Sequence, residues 1–404
     1  MKEKLKSVLT DSLWSIAGLV IMNMVLQFVV YKFWNSVLGN EINGTVLAAI
    51  AYMNIFAISA GTACNYLRMR YAQTGDPGNN GYLLILAAAC LAGVPWAWGS
   101  LLLSGVPKDP ATVILFVLLC LFTIVRYYAD VEFKLTLHYR AFFVYYIIIA
   151  LGYLLGSFLF RLTGLWPLAL LPGDMAGVVM VLCRGRVLRR ERPAEAEAQT
   201  DRKLFMAYLT LFGTFLLNNA LFNGDRILLN ALLDGTNVTL YYQASSVGKL
   251  MALLSTPLNG VMIGYLARFD GKLNRKIMKL TTLAALGLTA VATLGTTVGS
   301  HIYVKLLYPN NYLLERPWFL VASLSQVLFF VASSITVVLL RFSPMSYQVY
   351  VNLGYGAVYL ILCIPLTMCF GFAGFAWGLL SANAVYLLYS LYLGWRDAGK
   401  EKET

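Results

Sequence analysis

Of 404 residues, 59% are hydrophobic and 12% are charged, and mean hydropathy is +0.69. That balance leaves no sizeable soluble domain and describes a chain whose solvent is largely hydrocarbon. The net charge of +12 would admit a nucleic-acid partner, but its placement along the chain excludes that reading.

Twelve apolar stretches follow one another, most of them long enough at about 1.5 Å per residue to cross about 30 Å of hydrocarbon. They run Ser12 to Tyr31, Gly44 to Tyr66, Tyr82 to Leu103, Ala111 to Val125, Phe142 to Phe160 and Leu165 to Cys183. The second set is Leu204 to Leu233, Val238 to Tyr265, Leu280 to Val304, Trp318 to Leu340, Tyr347 to Phe370 and Phe372 to Trp395. The segment before the first span is short and basic, and the run behind it lacks an A-x-A-like site, which predicts a retained first helix.

Counting from a cytoplasmic N terminus, the inner segments hold 24 of the 31 Lys and Arg and the outer loops 5. The positive-inside rule demands such a bias, and shifting the frame by one helix would invert it. The inner segments carry 24 bases against 13 acids, so the pI of 9.3 reports orientation on anionic lipid. These observations predict a multi-pass protein of the bacterial inner membrane with both termini in the cytoplasm. Membrane lipids are its surroundings and no nucleic acid is a partner.

The longest polar stretch, Arg184 to Lys203, separates the sixth and seventh spans, giving an N-terminal six-helix lobe (1–183), a basic cytoplasmic linker (184–203) and a C-terminal six-helix lobe (204–404). VLGNEINGTVLAAIAYM around Gly39 can be laid on LLDGTNVTLYYQASSVG around Gly235, and an Arg follows each (Arg68 and Arg268). Two halves of equal topology imply a pseudo-two-fold axis along the membrane normal and a central cavity between lobes. The linker reads as a solvated tether, or as a segment whose Arg cluster touches headgroups.

Ionisable groups in hydrocarbon are costly, so the four embedded ones, Asp174, Asp225, Arg226 and Lys249, are candidates for function. On the eighth span Tyr242, Ser246, Lys249 and Thr256 share a face, a stripe that reads as a cavity wall or as packing around a buried ion pair. Asp225 and Arg226 are adjacent and point about 100° apart. Arg226 with Asn219 would face the cavity while Asp225 makes a structural pair with another helix, or the two charges pair with each other. Asp174 follows Pro172-Gly173, where a kink would expose backbone groups. A lone carboxylate there would carry a coupling proton, or simply cap the freed backbone. Asn23, Gln27 and Asn54 are either substrate contacts or interhelical glue. Arg68, Arg70 and Arg126 fall at the cytoplasmic mouth.

Catalytic patterns are missing: there is no P-loop and no H-E-x-x-H, and the two His lie at opposite faces. No metal or cofactor is implied, and uphill transport would need an H⁺ or Na⁺ gradient. The six Cys lie in or at the ends of spans without a C-x-x-C pair and read as small buried hydrophobes.

DSLWSIAGLVIMNMVLQFVVYKFWNSVLGNEINGTV, NYLRMR, DVEFKLTLHYRAFFVYY with GYLLGSFLFRLTGLWPL, and GDRILLNALL through STPLNG resemble the polysaccharide-biosynthesis flippases. These are the Wzx-like branch of the multidrug/oligosaccharidyl-lipid/polysaccharide exporter superfamily. The resemblance covers most of the chain. It implies an all-α, MATE-like integral membrane protein of twelve transmembrane helices, which moves an undecaprenyl-pyrophosphate-linked oligosaccharide outward by alternating access. Carried onto this chain, it makes Arg226 and Lys249 the cavity cations and Asp174 the position after Pro172-Gly173 that is acidic in look-alikes, with polysaccharide assembly proteins as candidate partners. The chain departs from the pattern in having no embedded Lys or Arg in its first six spans, with Arg68, Arg70 and Arg126 as substitutes at the mouth. Two other readings stand beside it. An exporter of amphipathic cations would prefer acids to bases in its cavity, and a membrane sugar polymerase or ligase would need larger outer loops and an acid/base pair.

Overall fold

The computed structural model describes residues 2–72, 78–189, 200–266, 274–342 and 346–399, and the side chains within them outside 2–12, 15, 200–201, 252–266, 337–338, 340–342, 346–349 and 399. The described residues are almost entirely helical, and twelve helical segments coincide with the twelve predicted spans. Among the described residues, eight stretches, from Ile16–Tyr71 to Tyr350–Ala398, are long and apolar enough to cross a membrane. The first and last of these each hold two spans joined through one glycine. Gly39 (φ 76°, ψ 171°) and Gly371 (φ 60°, ψ −138°) adopt backbone conformations that side chains with a Cβ resist, so a single residue turns the chain.

The chain divides into two compact units, Met1–Asn230 and Ala231–Thr404. In the first, α1 (Lys2–Val25) passes through a π-helical turn, Leu26–Val30, into α2 (Tyr31–Tyr71). There follow α3 (Asn79–Ser104), α4 (Pro110–Ala129), α5 (Val131–Leu135), α6 (Tyr139–Thr163), a 3₁₀ turn at Trp166–Ala169, α7 (Leu171–Arg184) and α8 (Thr200–Leu232). α1 packs on α6, α6 on α7, and α2 on α3 and α4. Trp34, Trp166 and Phe116 meet in the interior with ring centroids 5.3 to 6.0 Å apart. α6 can approach α7 closely because Gly152 faces Gly173 and Gly156 faces the carbonyls of Leu168 and Ala169, where a Cβ would not fit.

α8 is grouped with this first unit. Phe212 meets Phe56, Phe215 meets Tyr66, and the Asn230 amide donates to the Ser104 carbonyl at 3.2 Å. Local packing thus places the division after Asn230, whereas the polar linker had placed it at 184–203.

The second unit comprises α9 (Gly235–Leu266), α10 (Arg275–Leu307), the short α11 (Tyr312–Glu315), α12 (Phe319–Phe342) and α13 (Ser346–Gly399). α12 packs against α9, α10 and α13. Gly248 of α9 sits on Gln326, and Asn383 of α13 ties α12 to its own helix: its amide donates to Ser325 and its carbonyl oxygen accepts from the Tyr355 hydroxyl at 2.7 Å. Leu91, Leu151, Phe158, Val291, Leu294, Ile361 and Met368 are among the apolar side chains left exposed, as a hydrocarbon solvent requires.

Candidate functional site

Asp174 lies in the first turn of α7, with Pro172 at the helix start and the 3₁₀ turn before it. The expected mid-span kink is therefore corrected: the sixth span is a short helix that begins at Pro172-Gly173, where Pro needs no amide hydrogen bond. The lone carboxylate is corrected as well. Asp174 is 2% exposed, and Arg126 of α4 places its Nε 3.0 Å from Oδ1. Tyr153 of α6 donates to Oδ1 at 2.8 Å and Thr123 of α4 to Oδ2 at 2.6 Å. The helix N terminus adds a favourable dipole.

Arg126 is itself 7% exposed, its guanidinium stacked over the Tyr127 ring at 4.3 Å and its carbonyl accepting from the Tyr145 hydroxyl at 3.0 Å. It lies in the last turn of α4, buried in the first unit against Asp174. The apolar run ends at Val125, which hid this from the sequence, but α4 continues to Ala129 because packing, not hydropathy, sets its end. Thr123 and Arg126, three apart on one helix face, were the legible half of the constellation.

Arg68 is corrected in the same way. Buried at 6% exposure, it donates to the Tyr128 hydroxyl at 2.6 Å and to the Asn79 carbonyl oxygen, with its guanidinium 5.0 Å from the Tyr82 ring. Asn79 in turn donates to the carbonyls of Arg186 and Arg189, each at 2.8 Å, and a Glu132 oxygen accepts from the amides of Arg186 and Val187 at 2.7 and 3.0 Å. The beginning of the predicted tether is thus fastened to the ends of α2, α3 and α5; residues 190–199 lie outside the described residues. Arg70, by contrast, is exposed.

On α8, Arg226 is 7% and Asp225 4% exposed. Arg226 lies within electrostatic reach of Tyr31 at the start of α2, and Asn219, two turns earlier on the same face, donates to Ser59 of α2 at 2.9 Å. That face of α8 is therefore turned toward α2. Gln27 is buried within the π-helical turn, Asn23 donates to the Leu19 carbonyl of its own helix at 2.8 Å, and Asn54 is half-buried.

In the second unit Lys249 is 3% exposed, its Nζ 5.6 Å from the Tyr242 ring. Tyr242 and Ser246 are buried too, and Ser246 interacts with the Tyr303 hydroxyl of α10 as well as donating to the Tyr242 carbonyl at 2.6 Å. The side chain of Thr256, the far end of the expected stripe, lies outside the described residues. Nearby, Glu315 is 1% exposed and neither carboxylate oxygen accepts a hydrogen bond from the described residues. It sits outside the predicted spans, and so escaped a search confined to embedded charges. Among the described residues no three His, Cys, Asp or Glu come together as a metal site.

No family model matches the chain, and no curated protein matches it. Solved structures do. The lipid II flippase MurJ in an inward closed conformation superposes with a TM-score of 0.69 at 13% identity, covering 94% of this chain and 87% of that one. An inward-facing multidrug resistance MATE family transporter of the MOP superfamily gives 0.68 at 13% identity, with 96% and 99% covered. The Vibrio cholerae MATE transporter VcmN in its bent form gives 0.59 at 14% identity, covering 98% and 97%. At these identities the likeness concerns architecture, and the chain has the twelve-helix, all-α membrane fold of the MATE and MurJ transporters.

Proposed function

We propose that this protein is a flippase that carries an undecaprenyl-pyrophosphate-linked oligosaccharide from the inner to the outer leaflet of a bacterial inner membrane by alternating access, with both termini in the cytoplasm. The observation that carries the reading is the burial of two bases on membrane helices, Arg226 in the first unit and Lys249 in the second. A buried fixed cation offers an anionic headgroup a charge-assisted partner in a medium of low dielectric, and Arg donates in pairs to phosphate oxygens. The similarity to a lipid II flippase supports a lipid-linked substrate. Asp174, the candidate for ion coupling, is paired with Arg126.

In cells that assemble the glycan, Arg226→Ala and Lys249→Ala are each expected to abolish export, with lipid-linked intermediate accumulating at the cytoplasmic face and membrane protein levels unchanged. Arg226→Lys should restore part of the flux, because charge is kept and only the bidentate geometry is lost. Wild-type export by both Ala variants would refute the reading. Efflux of a cationic dye that both variants leave intact would favour the multidrug-type exporter. Imposing H⁺ or Na⁺ gradients on reconstituted protein identifies the coupling ion.

A further inference from the structure

In the first unit an apolar groove of about 300 Å³ runs between α3 and the start of α8. Its floor is Ile85 and Leu204, 4% and 1% exposed, and its flanks are Leu84 and Phe205, which stand 63% and 41% exposed. It exists because α3 places small residues, Gly81 and Ala88, two turns apart along one edge. A Cβ at Gly81 would lie 3.1 Å from the Leu204 side chain and begin to close it.

One end of this otherwise apolar groove carries Arg202, which is exposed. The same end of α3 is where Asn79, two residues before Gly81, holds the carbonyls of Arg186 and Arg189, whose side chains are also exposed. A hydrophobic slot open on exposed apolar flanks and headed by a single guanidinium matches one kind of molecule. Such a ligand buries a hydrocarbon chain and carries one negative charge at its end. In a bilayer the acyl chain gains packing contacts in the slot and no release from water, so the guanidinium, which offers paired donors to a phosphate, supplies the selectivity.

We propose that this groove is a binding site for an anionic phospholipid, with one acyl chain lying between α3 and α8 and the phosphodiester on Arg202. The single charge in the groove favours a phosphodiester over a pyrophosphate, so the site is distinct from whatever holds a transported headgroup and does not depend on the identity of the cargo.

The test uses the full chain purified in mild detergent, with phosphatidylglycerol or phosphatidylcholine of matched acyl chains added and bound lipid counted by native mass spectrometry. Wild type is expected to retain phosphatidylglycerol about fivefold over phosphatidylcholine, the equivalent of about 1 kcal/mol for one base near an anionic headgroup. Arg202→Gln should erase the preference while leaving residual retention of both lipids, and Arg202→Lys should restore part of it. Ala88→Phe, which fills the groove from its exposed edge, should lower retention of both. Should that variant fold poorly, as judged by its thermal unfolding, the Arg202 pair decides alone. Equal retention of the two lipids by wild type, an unchanged preference in Arg202→Gln, or retention of a polyprenyl phosphate with neither phospholipid would overturn the proposal.

Discussion

Asp174 and Arg126 show how one side chain's meaning depends on its neighbour. Taken singly, the acid invites a proton-carrier role and the base a headgroup role; paired at 3.0 Å and buried, they neutralise each other and join α4, α6 and α7. Removing one partner strands the other's charge, which costs about 3–5 kcal/mol, whereas replacing both by apolar residues of similar size is often close to neutral. Asp174→Asn keeps acceptors for Thr123 and Tyr153 but leaves Arg126 uncompensated. It should therefore lower stability by about 3 kcal/mol or more, read as denaturant or thermal unfolding in detergent. Asp174→Leu combined with Arg126→Met should recover most of that loss. An Asn variant as stable as wild type would show that the ion pair contributes little.

Helix ends in this chain are set by local chemistry that can be tested one residue at a time. Asp109 caps α4, its carboxylate accepting from the Thr112 amide at 2.8 Å, and these hydrogen bonds hold its carboxyl below the usual carboxylate range. A lowered carboxyl pKa means the folded state binds the proton less readily than the unfolded chain. The cap's contribution is therefore full above the ordinary Asp range and fades as pH falls through the folded value. Asp109→Ala is expected to cost about 0.5–1 kcal/mol near neutral pH, the low end of cap values because the site is exposed. Asp109→Asn should retain the cap and lose the acid dependence, and pH-resolved unfolding of the two variants separates these outcomes.

Glycines act in two different ways. At Gly39 nothing lies within 4 Å of a built Cβ, so Gly39→Ala pays only for the backbone conformation, about 1–2 kcal/mol. At Gly173 the same atom would strike the Tyr153 ring and the Ile149 carbonyl. Gly173→Ala should consequently cost more than Gly39→Ala and disturb the Tyr153–Asp174 bond. Equal losses in a melting experiment would contradict that separation.

At the scale of the whole molecule, the charge bias of 24 bases to 5 makes a topological prediction. In a cysteine-free background, Lys108→Cys should react with a membrane-impermeant maleimide on intact cells. Lys203→Cys should react only after the inner membrane is opened. The reverse pattern would invert the orientation. Among the described residues each compact unit buries its own charged set: Arg68, Arg126, Asp130, Asp174, Asp225 and Arg226 in the first, Lys249 and Glu315 in the second.

The sequence by itself determined the class and the count of spans, because crossing hydrocarbon imposes a length and a hydropathy that each segment must satisfy locally. Even the turn at Gly371 was legible, as the one residue left between two apolar runs. What the tertiary structure decided is which polar groups meet. Rotation of a helix about its axis is fixed by packing against neighbours, and the periodicity of one helix cannot report it. So Arg126, expected at a mouth, turned inward onto Asp174, and Arg68 turned onto the start of the linker. Asn219 found Ser59, and α8 joined the first unit despite the polar stretch before it. The apolar groove likewise exists only because Gly81 and Ala88 of α3 are brought beside Leu204 and Phe205 of α8, residues more than a hundred positions apart in a chain that gives no local sign of the encounter.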